Sequence, residues 1–194
     1  MAETGARIEP ATADDVDAVT DMWVALAAGQ REYGATLRAE ANRAAVREWA
    51  AQSAVTGELL VARAPNGESE REPGLIGFVG FSVERGGYER DGVRGTVSNL
   101  YVSPEWRGEG IGAALLDAAE RALAGEGADR VALEALAAND RAREFYADRG
   151  YDRHRVELTK PLRDGDDDDG GGDDGDRGDE GDGGEGDGAT GESG

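Results

Sequence analysis

Between Asn99 and Ala113 the chain reads Asn-Leu-Tyr-Val-Ser-Pro-Glu-Trp-Arg-Gly-Glu-Gly-Ile-Gly-Ala, and few folds accommodate that order of residues. An apolar strand passes through a short loop into glycines that open a helix. The first amides of a helix lack intrahelical partners and the helix dipole adds partial positive charge there, so an anion such as a phosphate is favoured in front of Gly108 to Ala113. Glycine lets a ligand approach the backbone closely, and it tolerates the positive φ angles that turn successive N–H groups toward one oxygen. Arg107 adds a fixed charge whose donor fork suits a pyrophosphate.

Three other readings of this loop compete. A glycine-rich strand-to-helix connection can be only a tight turn. A Walker loop requires Gly-Lys followed by Ser or Thr, and no lysine is present here, which removes nucleoside triphosphate hydrolysis. The dinucleotide fingerprint is closer, because Gly108-x-Gly110-x-x-Ala113 fits its relaxed form and Glu134 follows about 20 residues later. That fingerprint, however, places its first glycine almost at the strand end and early in a doubly wound sheet, whereas Pro104-Glu105-Trp106-Arg107 intervene here.

The charge of the chain is unevenly placed. Of a formal net charge of −21 over 194 residues, Asp164 to Gly194 carries −13, from 14 Asp or Glu against Arg177 alone, and the remainder carries −8. With 13 glycines and almost no apolar side chain, 164–194 cannot offset the entropy of ordering itself, which predicts a disordered acidic tail behind a globular domain over 1–163. The negative domain opposes nonspecific nucleic-acid binding. Lys160 is the only lysine against 20 arginines, an acidic, lysine-poor balance resembling that of proteins from cells with concentrated internal salt. A Debye length of about 3 Å at such ionic strength would screen the self-repulsion. Absence of cysteine excludes disulfides, thiolate nucleophiles and zinc–thiolate sites, and no metal site is expected. No apolar run resembles a signal peptide or reaches the roughly 20 residues that span a membrane, so a cytoplasmic location without a membrane partner is expected.

Periodicity supplies the elements. Arg7 to Ala11 reads as a short strand, and Thr12-x-x-Asp15 as a capping box that opens a helix bearing Val16, Val19, Trp23 and Leu26. A second helix is predicted from Ala39 to Ala54 with Ala45, Trp49 and Ser53 in one row, and 29–37 between the two reads as a polar linker, against a loop that selects a second substrate. Strands follow at Glu58 to Arg63 and Leu75 to Val83, separated by a turn at Pro65-Asn66-Gly67-Glu68. Gly86-Gly87 leads to a hairpin return and a strand over Gly95 to Val102. The next helix should pack Ile111, Leu115, Ala118 and Ala122 inward before Gly125 and Gly127 end it. A buried strand over Arg130 to Ala135 precedes a helix capped by Asn139, carrying Ala142, Phe145 and Tyr146 and closed by Gly150, and Tyr151 to Leu158 is predicted as a final paired strand. The order implies an α/β (α+β mixed) domain: a mixed, mostly antiparallel sheet with helices on both faces.

Three blocks of residues resemble the GNAT superfamily of acyl-coenzyme A dependent N-acetyltransferases over about Arg7 to Lys160. Arg107-Gly108-Glu109-Gly110-Ile111-Gly112 fits the pyrophosphate signature of that superfamily. Leu100-Tyr101-Val102 with Ser103-Pro104 fits the strand before it, and Asn139-x-x-Ala142-x-x-Phe145-Tyr146-x-x-x-Gly150-Tyr151 the block after it. The resemblance implies that backbone groups of Leu100, Tyr101 and Val102 pair with the pantetheine arm of acetyl-CoA. It also implies that the amides of Gly108, Glu109, Gly110, Ile111, Gly112 and Ala113 hold the pyrophosphate beside the Arg107 charge, with Asn139 contacting the cofactor beside its capping role. An extended amide-bearing arm does match an exposed strand edge, and a pyrophosphate a helix start.

Making an amide from a thioester needs a neutral amine at the carbonyl, stabilisation of the oxyanion, and a proton for the leaving thiolate. The Val102 amide is the candidate oxyanion donor. The resemblance implies Tyr146 as the acid for sulfur, against a purely structural aromatic, and Glu134 as the base, against a solvated carboxylate, with Glu84 in reserve; His154 is expected on the surface. The acceptor is a small-molecule or protein amine that no motif identifies, and a homodimer is compatible with this reading. A noncatalytic acyl-CoA binding or sensing module is the alternative, and a dinucleotide-binding protein the more distant one.

Overall fold

The computed structural model describes residues 5–64, 74–86 and 91–162. The expected turn at 65–68, Gly87 in the expected hairpin return, and the expected acidic tail over 164–194 all lie outside the described residues. The chain divides into Met1–Asp152 and Arg153–Gly194.

In the first unit, β1 (Arg7–Pro10) leads to Thr12, where the chain turns into α1 (Val16–Gln30) through a single 3-10 turn at Ala13–Asp15. The Asp15 carboxylate accepts from the Thr12 N–H at 2.8 Å and the Thr12 hydroxyl at 2.9 Å, so Asp15 reaches back as the capping-box spacing predicts. The reciprocal Thr12 and Asp15 contacts form the capping box. The same carboxylate takes Arg63 Nη2 at 2.9 Å, and Arg63 also pairs with Glu9, which ties β1 and the start of α1 to β2 (Leu59–Arg63). Then follow α2 (Arg43–Thr56), β3 (Leu75–Val83), β4 (Arg94–Val102), α3 (Ile111–Gly125), β5 (Arg130–Leu133) and α4 (Asp140–Ala147).

The five strands form one sheet in the order β1-β2-β3-β4-β5, antiparallel throughout except for the parallel β4–β5 pair. Because strand side chains alternate between faces, Val61, Phe78 and Tyr101 point to one side, where Val16, Val19 and Ala50 of α1 and α2 cover them. Val79 and Val97 point to the other, beneath Ile111, Leu115, Leu116, Ala119 and Leu123 of α3. Each large side chain buried this way contributes about 1.5–3 kcal/mol. Phe78 sits at the centre of its layer, fully buried against Trp49 and Tyr101.

The helix faces differ from expectation in detail. α2 buries Val46, Ala50 and Ser53 and leaves Ala45 exposed, because its contacts with α1 and β2 choose the face where the apolar signal is weak. In α3 the buried row is Ile111, Leu115, Ala119 and Leu123, with Ala118 and Ala122 at its margin, since the longer leucines fill the space over the sheet. Gly29 and Gln30, expected in the linker, belong to the last turn of α1. β5 is half-buried rather than buried and ends at Leu133, leaving Glu134 and Ala135 beyond it.

The described part of the second unit, residues 153–162, contains no strand, and neither do Tyr151 and Asp152 before it, which corrects the strand expected at Tyr151 to Leu158. A strand is stabilised by its ladder and by burial of alternate side chains. Val156 and Leu158 are 72% and 90% exposed and gain neither.

Candidate active site

The site begins where β4 loses a partner. β5 follows β4 only from Arg94↔Arg130 to Val97↔Leu133, and at the same level the β3–β4 register slips between Gly80 and Phe81, so that Ser98 is the extra residue of a bulge. Beyond the bulge, β4 has β3 on one side and an open edge on the other. The Ser103 N–H donates to Ile76 O at 2.9 Å, which fixes the alternation: Tyr101 exchanges backbone hydrogen bonds with β3, while the backbone groups of Leu100 and Val102 face the open side. Arg107 Nε reaches back to the Val102 carbonyl at 3.0 Å, leaving the Val102 N–H as the donor there. Tyr101 contributes its ring to the core beside Phe78, with the Arg107 guanidinium 5.9 Å from the ring centre.

A one-turn 3-10 segment, Pro104–Trp106, carries the chain from this edge to the start of α3. Gly108 and Gly110 have φ of 87° and 81°, the left-handed region that favours glycine. The Ala114 N–H is the first to reach a carbonyl of the helix, Gly110 O at 3.0 Å, so the amides of Ile111, Gly112 and Ala113 open the helix without intrahelical acceptors. Arg107, Gly108, Glu109 and Gly110 are exposed, and no heavy atom would lie within 4 Å of a Cβ on Gly108. Ile111 instead anchors the cradle, its side chain buried under the sheet. Open amides, positive φ and free space together fit the pyrophosphate of a coenzyme A.

The divergence of β4 and β5 leaves a cleft of about 50 Å³. Leu100 and Asn99 line it from β4, Leu133 and Glu134 from the end of β5, Gln30 from the end of α1 and Tyr146 from α4. Both predicted catalytic side chains therefore meet on the free edge of β4, though their sequence neighbourhoods are separate. The Tyr146 ring packs edge-on against Phe145 and Tyr151, at 5.2 and 5.7 Å between centres, and burial raises its phenol pKa. A phenol held neutral is a proton donor across the physiological range. Glu134 is exposed at the mouth.

Asn139 caps α4, its Oδ1 accepting from the Ala142 N–H at 3.0 Å, and its Nδ2 is left to donate elsewhere. Glu84, the reserve base, lies away from the cleft, at the far end of β3, bound to Arg94 and to the Thr96 hydroxyl, each at 3.2 Å. His154 is exposed in the second unit. Gln30 opens the segment whose alternative reading is a substrate-selecting loop. The loop it begins runs close enough for Arg107 and Arg141 to act on the Tyr33 phenol, whose pKa is raised chiefly by its hydrogen bond with Glu32. Sequence reasoning gave no role to Asn99 or Ser98; a bulge defined only by pairing with β3 leaves no local signal.

The profile of the Acetyltransferase (GNAT) family matches residues 26–151, which contain the whole of this cleft and cradle. The chain belongs to that family. Among solved structures, a GCN5-related N-acetyltransferase from Ralstonia eutropha JMP134 is 25% identical with a TM-score of 0.60, covering 81% of this chain and 98% of the other. A transcriptional regulator from Bacillus halodurans C-125 is 20% identical with the same TM-score of 0.60, covering 81% and 99%. The NatC complex bound to Gag peptide and CoA is 18% identical with a TM-score of 0.57, covering 77% and 86%. No curated protein sequence matches the chain. The mixed, mostly antiparallel sheet flanked by helices is the GNAT fold. Among the described residues no group of acidic, His or Cys side chains could hold a metal ion, and no helix is long and apolar enough to cross a membrane.

Proposed function

We propose that this GNAT protein transfers the acetyl group of acetyl-CoA to a primary amine of a small molecule or a protein. The observation that carries the reading is the cleft itself: the open edge of β4 lies between the anion cradle and a wall holding Tyr146 and Glu134. Bound acetyl-CoA supplies an activated acyl thioester. The amides of Ile111 to Ala113, with Arg107, hold its pyrophosphate, and the outward groups of Leu100 and Val102 align its pantetheine arm as an added strand. Asn139 Nδ2 supplies a further polar contact. The Val102 N–H donates to the carbonyl oxygen as negative charge develops there. Glu134, directly or through water, takes the proton of the amine, and the Tyr146 hydroxyl gives one to the departing sulfur.

The acidic, lysine-poor composition further supports a protein that works in concentrated cytoplasmic salt, with 164–194 as a soluble charged tail. The deciding experiment is a thiol-release assay of the full chain with acetyl-CoA across a panel of amines at high salt. Amine-dependent thiol release is expected. Calorimetric binding of CoA without turnover of any amine would leave a noncatalytic acyl-CoA sensor, and tighter binding of a nicotinamide dinucleotide than of CoA would favour the dinucleotide-binding alternative.

A further inference from the structure

The Trp23 indole on α1 donates from Nε1 to Asn99 Oδ1 at 3.1 Å, across 76 residues of sequence. An indole nitrogen can only donate, so the atom it meets must be the amide oxygen of Asn99, and the orientation of that side chain is decided by chemistry. The Asn99 nitrogen therefore faces the other way. One of its protons makes a long contact of 3.3 Å to Ser98 Oγ, and the other has no partner among the described residues. Because Asn99 lines the cleft that also holds Glu134 and Tyr146, it offers that cleft a hydrogen-bond donor whose orientation Trp23 sets.

The cleft thus holds this oriented donor and the Glu134 carboxylate, with Gln30, Ser98 and Tyr146 as the other polar residues of its lining. A water needs roughly 10–15 Å³ of such space, so a cleft of about 50 Å³ takes a unit of only a few non-hydrogen atoms. An amine near Glu134 satisfies Asn99 as well when it carries a hydrogen-bond acceptor such as a carbonyl oxygen on a neighbouring carbon. A plain alkylamine would displace water from the half-buried Asn99 donor without replacing its hydrogen bond. We propose that Asn99 is the acceptor-specificity residue, held in place by Trp23, and that the acceptor is an α-amino amide such as a peptide N terminus. This rests on the acetyltransferase reading above.

The test compares alaninamide with its hydrocarbon isostere 1,2-dimethylpropylamine, using the full chain and acetyl-CoA. Differences in amine basicity cancel when each variant is divided by the wild type. Asn99→Ala should lower kcat/KM for alaninamide about tenfold, mainly through KM, the equivalent of one neutral hydrogen bond, and should lower that of the isostere by less than about threefold. Asn99→Asp keeps an oxygen for the Trp23 indole but removes the donor, and should lose the same preference while folding normally. Trp23→Phe keeps the ring and frees the amide, and should weaken the preference by a smaller factor. Equal losses for both acceptors in Asn99→Ala and Asn99→Asp, or wild-type preference retained in both, would overturn the assignment. Turnover of neither amine despite calorimetric binding of CoA would instead remove the acetyltransferase reading on which it rests.

Discussion

Replacing Tyr146 by Phe removes one hydroxyl and keeps the ring edges that meet Phe145 and Tyr151 at 5.2 and 5.7 Å. No described side chain or backbone group takes a hydrogen bond from that hydroxyl and none of its atoms is buried without a partner, so stability should change by less than about 1 kcal/mol. Turnover should change far more. A positioned proton transfer contributes about 100-fold to 10,000-fold, which is about 2.7–5.4 kcal/mol of barrier at 1.36 kcal/mol per tenfold. Burial raises the phenol above its ordinary value, so the proton-bearing form required of an acid persists through about pH 10. Any alkaline fall in kcat arising from Tyr146 therefore lies above that pH and disappears in the variant. Thiol release at saturating substrates, with a single-turnover measurement to establish that chemistry is rate-limiting, reads both effects, and calorimetry with CoA should show unchanged affinity. Near-normal turnover in Tyr146→Phe with chemistry limiting would show that the ring is structural and that the thiolate collects its proton from water.

Gly110→Asp places a carboxylate at the head of α3, where like charges about 4 Å apart repel by about 4 kcal/mol at an effective dielectric of 20; CoA affinity should fall more than about 100-fold, and unchanged affinity by calorimetry would refute the cradle. Glu134→Gln should lose more activity as pH falls toward conditions where the amine is fully charged, and a pH-independent loss would argue against a base. Burial alone would raise the Asp15 pKa, but the hydrogen bonds from Thr12 and Arg63 outweigh it and hold it low. Its stabilisation is therefore full above the unfolded pKa of about 3.9 and is lost as pH falls through the folded value. Asp15→Asn should cost about 2 kcal/mol at pH 7, less than for an isolated buried pair because Glu9 still compensates Arg63, and the difference should vanish in acid melts. Truncation after Arg163 should leave turnover nearly unchanged at high salt, while melting temperatures of the full chain should fall when salt is removed; equal melting in low and high salt would count against a salt-adapted acidic surface.

The parts of this protein legible in its sequence are those set by local rules. Glycines at 108 and 110 announce a left-handed backbone at a helix start because other residues rarely adopt it. Asn139 reads as a cap because its side chain serves an amide three residues away, and β3 reads as a strand because both of its faces are apolar. Where the local signal was weak, packing decided. α2 turned Val46 inward instead of Ala45 because α1 and β2 chose the face, and Tyr151 to Leu158, expected as a strand from the order of its neighbours, formed no ladder. The cleft is wholly a tertiary product. Nothing in β4 alone says that β5 departs after Val97, that Ser98 bulges, or that Trp23 fixes an amide 76 residues later. Residue types and spacings determine which backbone groups are offered to a ligand, because those depend on neighbours a turn away. Which side chains stand opposite them depends on how the sheet splays and which helix covers the gap, a balance of burial among elements that short-range sequence does not encode.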